Sequence, residues 1–331
     1  MFNVYTEFQQ LKSIAVGNIN SNTDLLVALP VLGKSHKKDL EQLFDETRQD
    51  FDKIGLALNT VGVSVHFCKT YNISQTPVQT LPLAPRDWFL VYGEDIYIPH
   101  PFFDCHQMRA RSLDNIFDRG KTTRWFGDVG KFESTDNTMD VQSVYFDSAN
   151  FLRCGKDIFY TKHFNKNGSA YGLQTVCRSI LNKYPDVKFH EVDTEGHLDG
   201  SLFLVRPGLL LTTLKKLPKC FDNWDKIFVD NKRKKFNKDG FNYKTLHPML
   251  VKEWHWFKES NPDETAFSIN ALSINENQVM FAGFNEYVFN ELEKRKVECF
   301  DLNLSTCDFW DGGLHCFTNE LCRQGRLEDY F

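Results

Sequence analysis

Five residues in four short stretches carry side chains that could do thiol chemistry on a cation. They are Asp87 in "APRDWFLVYGEDIY", Asp147 in "YFDSANFLRCGKDIFY", His197 and Asp199 in "EGHLDGSLFLVRPGLLL", and Cys316 in "DGGLHC". His197 and Asp199 stand two apart directly before an apolar run, so an extended backbone would project both to the same side. A base and a carboxylate facing one cleft is an arrangement that acid–base catalysis uses. Gly312 and Gly313 allow a tight turn ahead of Cys316 and leave the backbone near its sulfur uncrowded, which suits a thiol approached by a planar substrate. Each residue taken singly has a plainer reading: an aspartate before a strand caps a turn, and a single histidine or cysteine is more often structural. Together they supply a thiol nucleophile, a base and several carboxylates. Carboxylates around a sulfur would repel the oxyanion of acyl transfer, yet they would bind a planar guanidinium through paired charge-assisted hydrogen bonds.

These stretches must be positioned by the elements around them. "DLLVALPVL" (24–32) reads as a buried strand, and the run from Ser35 to Leu56, with Leu40, Leu43, Phe44, Phe51 and Ile54 at near-helical spacing, as an amphipathic helix. "VGVSVHFC" alternates as a strand does. "DWFLVYGEDIYIP" reads as a hairpin turning at Gly93 and Glu94, "SVYFDSANFLRCGKDIFY" as a second, and "SLFLVRPGLLLTT" as a third turning at Pro207 and Gly208. "YGLQTVCRSILNKY" and "NEYVFNELEKRK" predict helices, with "NALSINENQVMFAG" between them as another strand pair. Strand, hairpin and helix thus recur along the chain without letter-for-letter identity. A doubly wound sheet would alternate single strands with helices; a ring of ββαβ units would place hairpins between helices throughout, as here. No proline- or serine-rich linker divides the chain, so one domain over residues 1–331 is expected.

Composition narrows the function. The chain of 331 residues is 41% apolar, ample for a core, and its net charge of −5 comes from interspersed charges, which disfavours nucleic acid. The dense basic run "DNKRKKFNKDG" around Arg233 reads as a solvated segment, and "HPFFDCHQMRARS" (100–112) as surface. The start of the chain has neither the basic nor the apolar region of a signal peptide and no window is long and apolar enough for a span, so a cytoplasmic protein with no membrane partner is expected. Nine scattered cysteines form no CxxC pair and read as free thiols. The ten histidines show no metal-ligand spacing, and no glycine-rich phosphate loop is present, so neither a metal nor a cofactor is expected.

The stretches "PRDW", "FDSANFLRCGKDIFY", "HLDGSLFLVRPGLLL" and "DGGLHC", in this order and spacing, closely resemble the amidinotransferase family that contains glycine amidinotransferase and the inosamine-phosphate amidinotransferases, within the guanidino-group-modifying superfamily. The similarity runs from "EFQQLKSIAVGN" to "CRQGRLEDY". It implies an α/β five-bladed propeller, the pentein fold, of five ββαβ modules with pseudo-fivefold symmetry and a site in the central channel. By the same resemblance Cys316 is the nucleophile, His197 the acid–base, Asp147 its carboxylate partner, and Asp87 and Asp199 the guanidinium-binding pair. The last hairpin of the ring would deliver the nucleophile. Cys316 would attack the guanidinium carbon of L-arginine, L-ornithine would leave, and an acceptor amine would then collect the amidino group from the sulfur, with no metal or organic cofactor and, as in relatives, in a homodimer.

Departures from the family pattern bear on the substrates. Thr194 and Gly196 stand where glycine-using members carry an asparagine and a methionine; both are smaller, which implies a wider pocket and an acceptor bulkier than glycine, such as a diamine, lysine or a secondary-metabolite precursor. An expected arginine that would grip the donor carboxylate is replaced by lysine, Lys215 or Lys216 depending on alignment, and lysine cannot make the planar two-pronged contact. Ser268 falls where the family places a serine near the donor. Two other readings stand beside the transferase. An arginine deiminase-type hydrolase would let water resolve the intermediate and give citrulline, although "FDSAN" differs from the glutamate and two glycines expected there. A binding protein without activity on the same scaffold is disfavoured by the presence of all five catalytic-type residues.

Overall fold

The apolar runs become paired strands because each is reversed by a two-residue turn that its sequence can make. In the computed structural model, which describes residues 2–19, 34–69, 83–98, 116, 123–125, 146–161, 170–194, 196–229, 268–310 and 312–331, Gly93, Gly155 and Gly208 take positive φ at three of these reversals, a conformation that costs side-chain-bearing residues about 1–2 kcal/mol. The strand expected at 24–32, the basic run around Arg233 and the stretch 100–112 lie outside the described residues.

The described strands, numbered in chain order, are β1 (Gln10–Val16), β2 (Ser64–Phe67), β3 (Leu90–Tyr92), β4 (Asp95–Ile98), β5 (Thr123–Trp125), β6 (Phe151–Cys154), β7 (Asp157–Thr161), β8 (Lys188–Val192), β9 (Leu202–Arg206), β10 (Leu209–Thr212), β11 (Asp225–Phe228), β12 (Leu272–Asn275), β13 (Gln278–Phe281), β14 (Glu298–Asp301) and β15 (Thr318–Gln324). They form five three-stranded sheets among the described residues, β15-β1-β2, β3-β4-β5, β6-β7-β8, β9-β10-β11 and β12-β13-β14. All five follow one plan: the middle strand pairs antiparallel with the first and parallel with the third. In four sheets the antiparallel pair is a hairpin. In the remaining one it joins the two ends of the sequence, β15 to β1, with Val16 opposite Thr318. The expectation that a last hairpin delivers the nucleophile is corrected accordingly: β15 takes its partner from the beginning of the sequence.

Helices α1 (Lys34–Thr60), α2 (Ala170–Lys183) and α3 (Glu286–Lys294) supply crossovers to the parallel third strands. In α1, Phe44, Phe51, Ile54 and Leu58 fall on one buried face. α3 starts at Asn285, whose side chain accepts from Val288 N, and carries Glu286 in its first turn and Lys294 in its last, in accord with the helix dipole. Among the described residues, no helix is long and apolar enough to cross a membrane.

Among the described residues the core consists of five clusters, each bridging two sheets. Leu90, Tyr97, Phe151 and Ile158 join the β3 and β6 sheets; Leu152, Phe159, Leu204 and Leu210 join the β6 and β9 sheets. Leu211, Ile227, Val279 and Phe281 continue to the β12 sheet, Ile14, Val16, Leu272 and Met280 link that sheet to β1, and Ala15, Leu321, Val91 and Ile96 link β1 to β3. The same segment order therefore brings the loops ahead of the five first strands to one region.

Candidate active site

Just ahead of the first strand of each sheet the backbone makes a tight turn, and these turns hold the candidate site residues. The 3-10 turn Pro85–Asp87 precedes β3, Ser148–Asn150 precedes β6 and Leu198–Gly200 precedes β9. Ser268 to Asn270 lead into β12, and the turn that holds Cys316 leads into β15. His197 and Asp199 do not lie on an extended segment, as their spacing suggests. His197 caps the turn that contains Asp199, with Gly200 N donating to His197 O at 3.3 Å, so the two side chains reach different partners.

His197 Nε2 lies 3.0 Å from Asp147 Oδ2, and its Nδ1 lies 4.0 Å from Asp87 Oδ1. Asp147 is itself fixed, because its Oδ1 accepts from Ala149 N at 3.2 Å as the cap of the next turn. Burial disfavours the imidazolium, but the Asp147 carboxylate, helped by Asp87 and Asp199, outweighs it and holds His197 well above its ordinary pKa.

Cys316 Sγ is partly buried, 3.7 Å from Asp199 Oδ2. Burial first, then the Asp199 and Asp87 carboxylates, push its thiol well above the usual range, while hydrogen bonds from Asn270 and the Gly313 backbone pull the other way. Asp199 is 2% exposed, and its Oδ1 has no hydrogen-bond partner. A buried carboxylate oxygen of this kind, next to a thiol, is a receptor for a cationic N–H donor. The structure thus brings Asp87, Asp147, His197, Asp199 and Cys316 together.

The remaining expected residues are placed less centrally. Thr194 is buried, with its Oγ1 2.9 Å from Ser201 Oγ, inside its own loop. Gly196 is exposed, and a Cβ there would meet nothing within 4 Å. Ser268 accepts from Asn285 Nδ2 at 3.0 Å. Lys215 and Lys216 are exposed.

Two site residues were missed. Asn270 contacts the Cys316 sulfur; its signal is positional, a polar residue just ahead of a first strand where the other sheets carry Asp87, Asp147 and Asp199. His315, inside "GGLHC", donates from Nδ1 to Asp199 Oδ2 at 2.8 Å while its Nε2 faces Glu7 Oε2 at 3.4 Å. Both ring nitrogens face carboxylates, which favours the imidazolium and lifts the His315 pKa against the effects of burial and Arg86. Behind it lies a buried ionic network: Arg153 pairs with Glu7 at 2.7 Å and with Glu320 at 2.6 Å, and Arg86 and Arg323 also bond Glu320.

Asp87, Asp147 and His197 offer ligand atoms within 4.8 Å of one another and could accept a divalent cation; Glu7, His315 and Glu320 form a second such group, but arginines already bond its carboxylates.

No family model matches the chain. The chain is 25% identical over 230 residues to the mitochondrial glycine amidinotransferase of Xenopus laevis, an alignment that covers 66% of this chain and 48% of that protein. The chain spans about half the length of the vertebrate relatives it matches. It is 25% identical over 379 aligned residues to the L-arginine:L-lysine amidinotransferase of Pseudomonas savastanoi pv. phaseolicola, covering 98% of this chain and 95% of that one. Its fold matches that of an amidinotransferase of Microseira wollei, from the saxitoxin biosynthetic pathway, with a TM-score of 0.73 at 19% identity over 100% of this chain and 99% of the other.

Proposed function

We propose that this chain, a member of the amidinotransferase family, forms over residues 1–331 one five-bladed α/β-propeller catalytic domain that moves the amidino group of L-arginine to an acceptor amine. The observation that carries the reading is the Cys316 sulfur set 3.7 Å from the buried Asp199 carboxylate, with the His197–Asp147 pair alongside. Five like sheets joined cyclically by five core clusters support the propeller.

The guanidinium would lie between Asp87 and Asp199, its N–H groups donating to their oxygens. Its positive charge offsets the two carboxylates that hold the thiol protonated, and the thiol proton passes to solvent. The Cys316 thiolate then adds to the guanidinium carbon. His197, kept protonated by Asp147, gives its proton to the departing nitrogen as the C–N bond breaks, and L-ornithine leaves as a neutral amine. The sulfur keeps a cationic amidino group. An acceptor amine adds to that carbon, His197 takes one amine proton, the C–S bond breaks, and the amidino product departs with thiolate and imidazolium restored. A thiol, an imidazole and the carboxylates suffice for each step.

Lys216 would neutralise the donor carboxylate and Ser268 would line the donor side. Open space at Gly196 favours an acceptor bulkier than glycine, and the alignment with an L-arginine:L-lysine amidinotransferase over 98% of the chain makes lysine the first candidate. The test is purified protein with L-arginine and a panel of lysine, glycine and small diamines, followed by mass spectrometry. Ornithine together with an amidinated amine is the expected result; citrulline formed without any amine would overturn the transferase in favour of a hydrolase.

A further inference from the structure

Asn270 holds Cys316 at two points. Its Nδ2 donates to Cys316 Sγ at 3.2 Å, and its Oδ1 accepts from Cys316 N at 2.9 Å. The second contact fixes the orientation of the first: a backbone N–H can only donate, so Oδ1 must face it and the NH2 end must face the sulfur. Asn270 is 3% exposed, and its own carbonyl accepts from His315 N at 3.4 Å. The turn is shaped around this amide. A Cβ at Gly313 would come within 2.7 Å of both Asn270 O and Oδ1, so a larger residue at 313 would push the amide away from the sulfur. The other charged groups about the sulfur are the Asp199 and Asp87 carboxylates, with the imidazoles of His197 and His315 bound to carboxylates of their own. Neither carboxylate can favour negative charge on the sulfur. An amide N–H directed at sulfur gains strength as that charge develops.

We propose that Asn270 is a catalytic residue, donating to the Cys316 sulfur as the thiolate attacks and again as it is expelled, while its Oδ1 keeps the nucleophile's turn in place. The inference rests on the reading of Cys316 as the nucleophile. Losing one hydrogen bond to a charged sulfur should lower kcat by about 10- to 100-fold and change the arginine KM by no more than about threefold.

Asn270→Asp decides the matter, because it keeps shape and the Oδ1 acceptor but puts a carboxylate oxygen where the donor was; Asn270→Ala removes both contacts. Alkylation of Cys316 by iodoacetamide would be followed by peptide mass spectrometry across roughly pH 6 to 10, with kcat, KM and the thermal midpoint measured on the same proteins. In Asn270→Asp alkylation is expected to be about tenfold slower or more at each pH of that range, because the thiol becomes harder to ionise, with kcat reduced as above. Alkylation profiles that superimpose on wild type, or a raised KM with unchanged kcat, would overturn the role of Asn270. If Asn270→Ala does not fold, Asn270→Asp, which keeps the turn braced, still gives the answer. Cys316→Ala separates the two claims: surviving turnover in that variant overturns the nucleophile and this inference together, whereas its inactivity beside an unaffected Asn270→Asp overturns this inference alone.

Discussion

Asp199 acts on Cys316 in two opposed ways, and this gives the site a signature at the level of one side chain. Its carboxylate helps hold the thiol protonated, and its buried, unpartnered Oδ1 is, on the proposed reading, where the substrate cation would donate. In Asp199→Asn, free Cys316 should therefore be alkylated faster than wild type at neutral pH, while arginine turnover drops about 100-fold or more, since a charge-assisted contact of the reacting group is lost. Slower alkylation in that variant would show that the carboxylate does not control the thiol. His197 offers a second test. Burial opposes its proton, but the Asp147 carboxylate more than offsets this, so the folded protein binds the proton more tightly than the unfolded chain does. The stabilisation is complete below the ordinary histidine pKa and is lost as pH rises through the higher folded value. Asp147→Asn retains the cap to Ala149 N and removes the charge, so the His197 titration midpoint, followed by NMR, should fall by about one unit or more. Of these five side chains all were legible in the sequence, since thiol, imidazole and carboxylates advertise their chemistry. Asn270 and His315 were not: an asparagine before a strand has a dozen ordinary uses, and only its placement 46 residues from Cys316 in sequence, yet in contact with it, gives it meaning.

Hairpins were the most legible elements, because short apolar runs broken by a glycine-containing turn, as at Gly93-Glu94 and Pro207-Gly208, leave few other structures open. The turns that carry the chemistry were less so. Pro85–Asp87 and Leu198–Gly200 are single 3-10 turns with no periodicity to detect, which is why His197 and Asp199 read as one extended face. Hairpin glycines also differ in ways that sequence does not reveal. Gly155 and Gly208 both have positive φ, but a Cβ at Gly155 would lie 2.0 Å from Glu328 O, whereas at Gly208 it would meet nothing within 4 Å. Gly208→Ala should thus cost about 1 kcal/mol, the backbone term alone. Gly155→Ala should cost about 3 kcal/mol or more, because the strand must also move off a backbone carbonyl. Thermal or urea unfolding of both variants checks the ordering, and equal losses would mean that the segment around Glu328 yields without cost.

The pairing of β1 with β15 could not be read from either strand, because the hairpin pattern that marks the other sheets is split between residues more than three hundred positions apart. The buried ionic network is equally hidden in sequence: Glu7, Arg86, Arg153 and the β15 pair Glu320 and Arg323 come from four separate segments, and all five are at most 2% exposed. Ion pairs this deep stabilise little relative to an apolar core, but breaking one leaves a buried charge without compensation, at a cost of about 3–5 kcal/mol. The network also ties the whole fold to pH. For Glu7 burial raises the carboxyl pKa, yet Arg153 overcomes it and brings the value down to about 2; Glu320, against the same burial, is held far below its usual range by Arg86, Arg153 and Arg323. Groups depressed in the folded state contribute stability above their unfolded pKa of about 4.3 and lose it as pH falls through the folded value. The thermal midpoint should accordingly fall between about pH 4.5 and 2, through the uptake of protons by these two carboxylates as the chain unfolds. Arg153→Met removes the partner they share, so their folded pKa values rise: the neutral-pH midpoint should drop, and proton uptake on unfolding near pH 4 should shrink. Arg153→Lys keeps a charge that can still meet one carboxylate at a time and should fall between the two. An acid limb of unchanged depth in Arg153→Met would place the acid sensitivity elsewhere and leave this network with only a steric role.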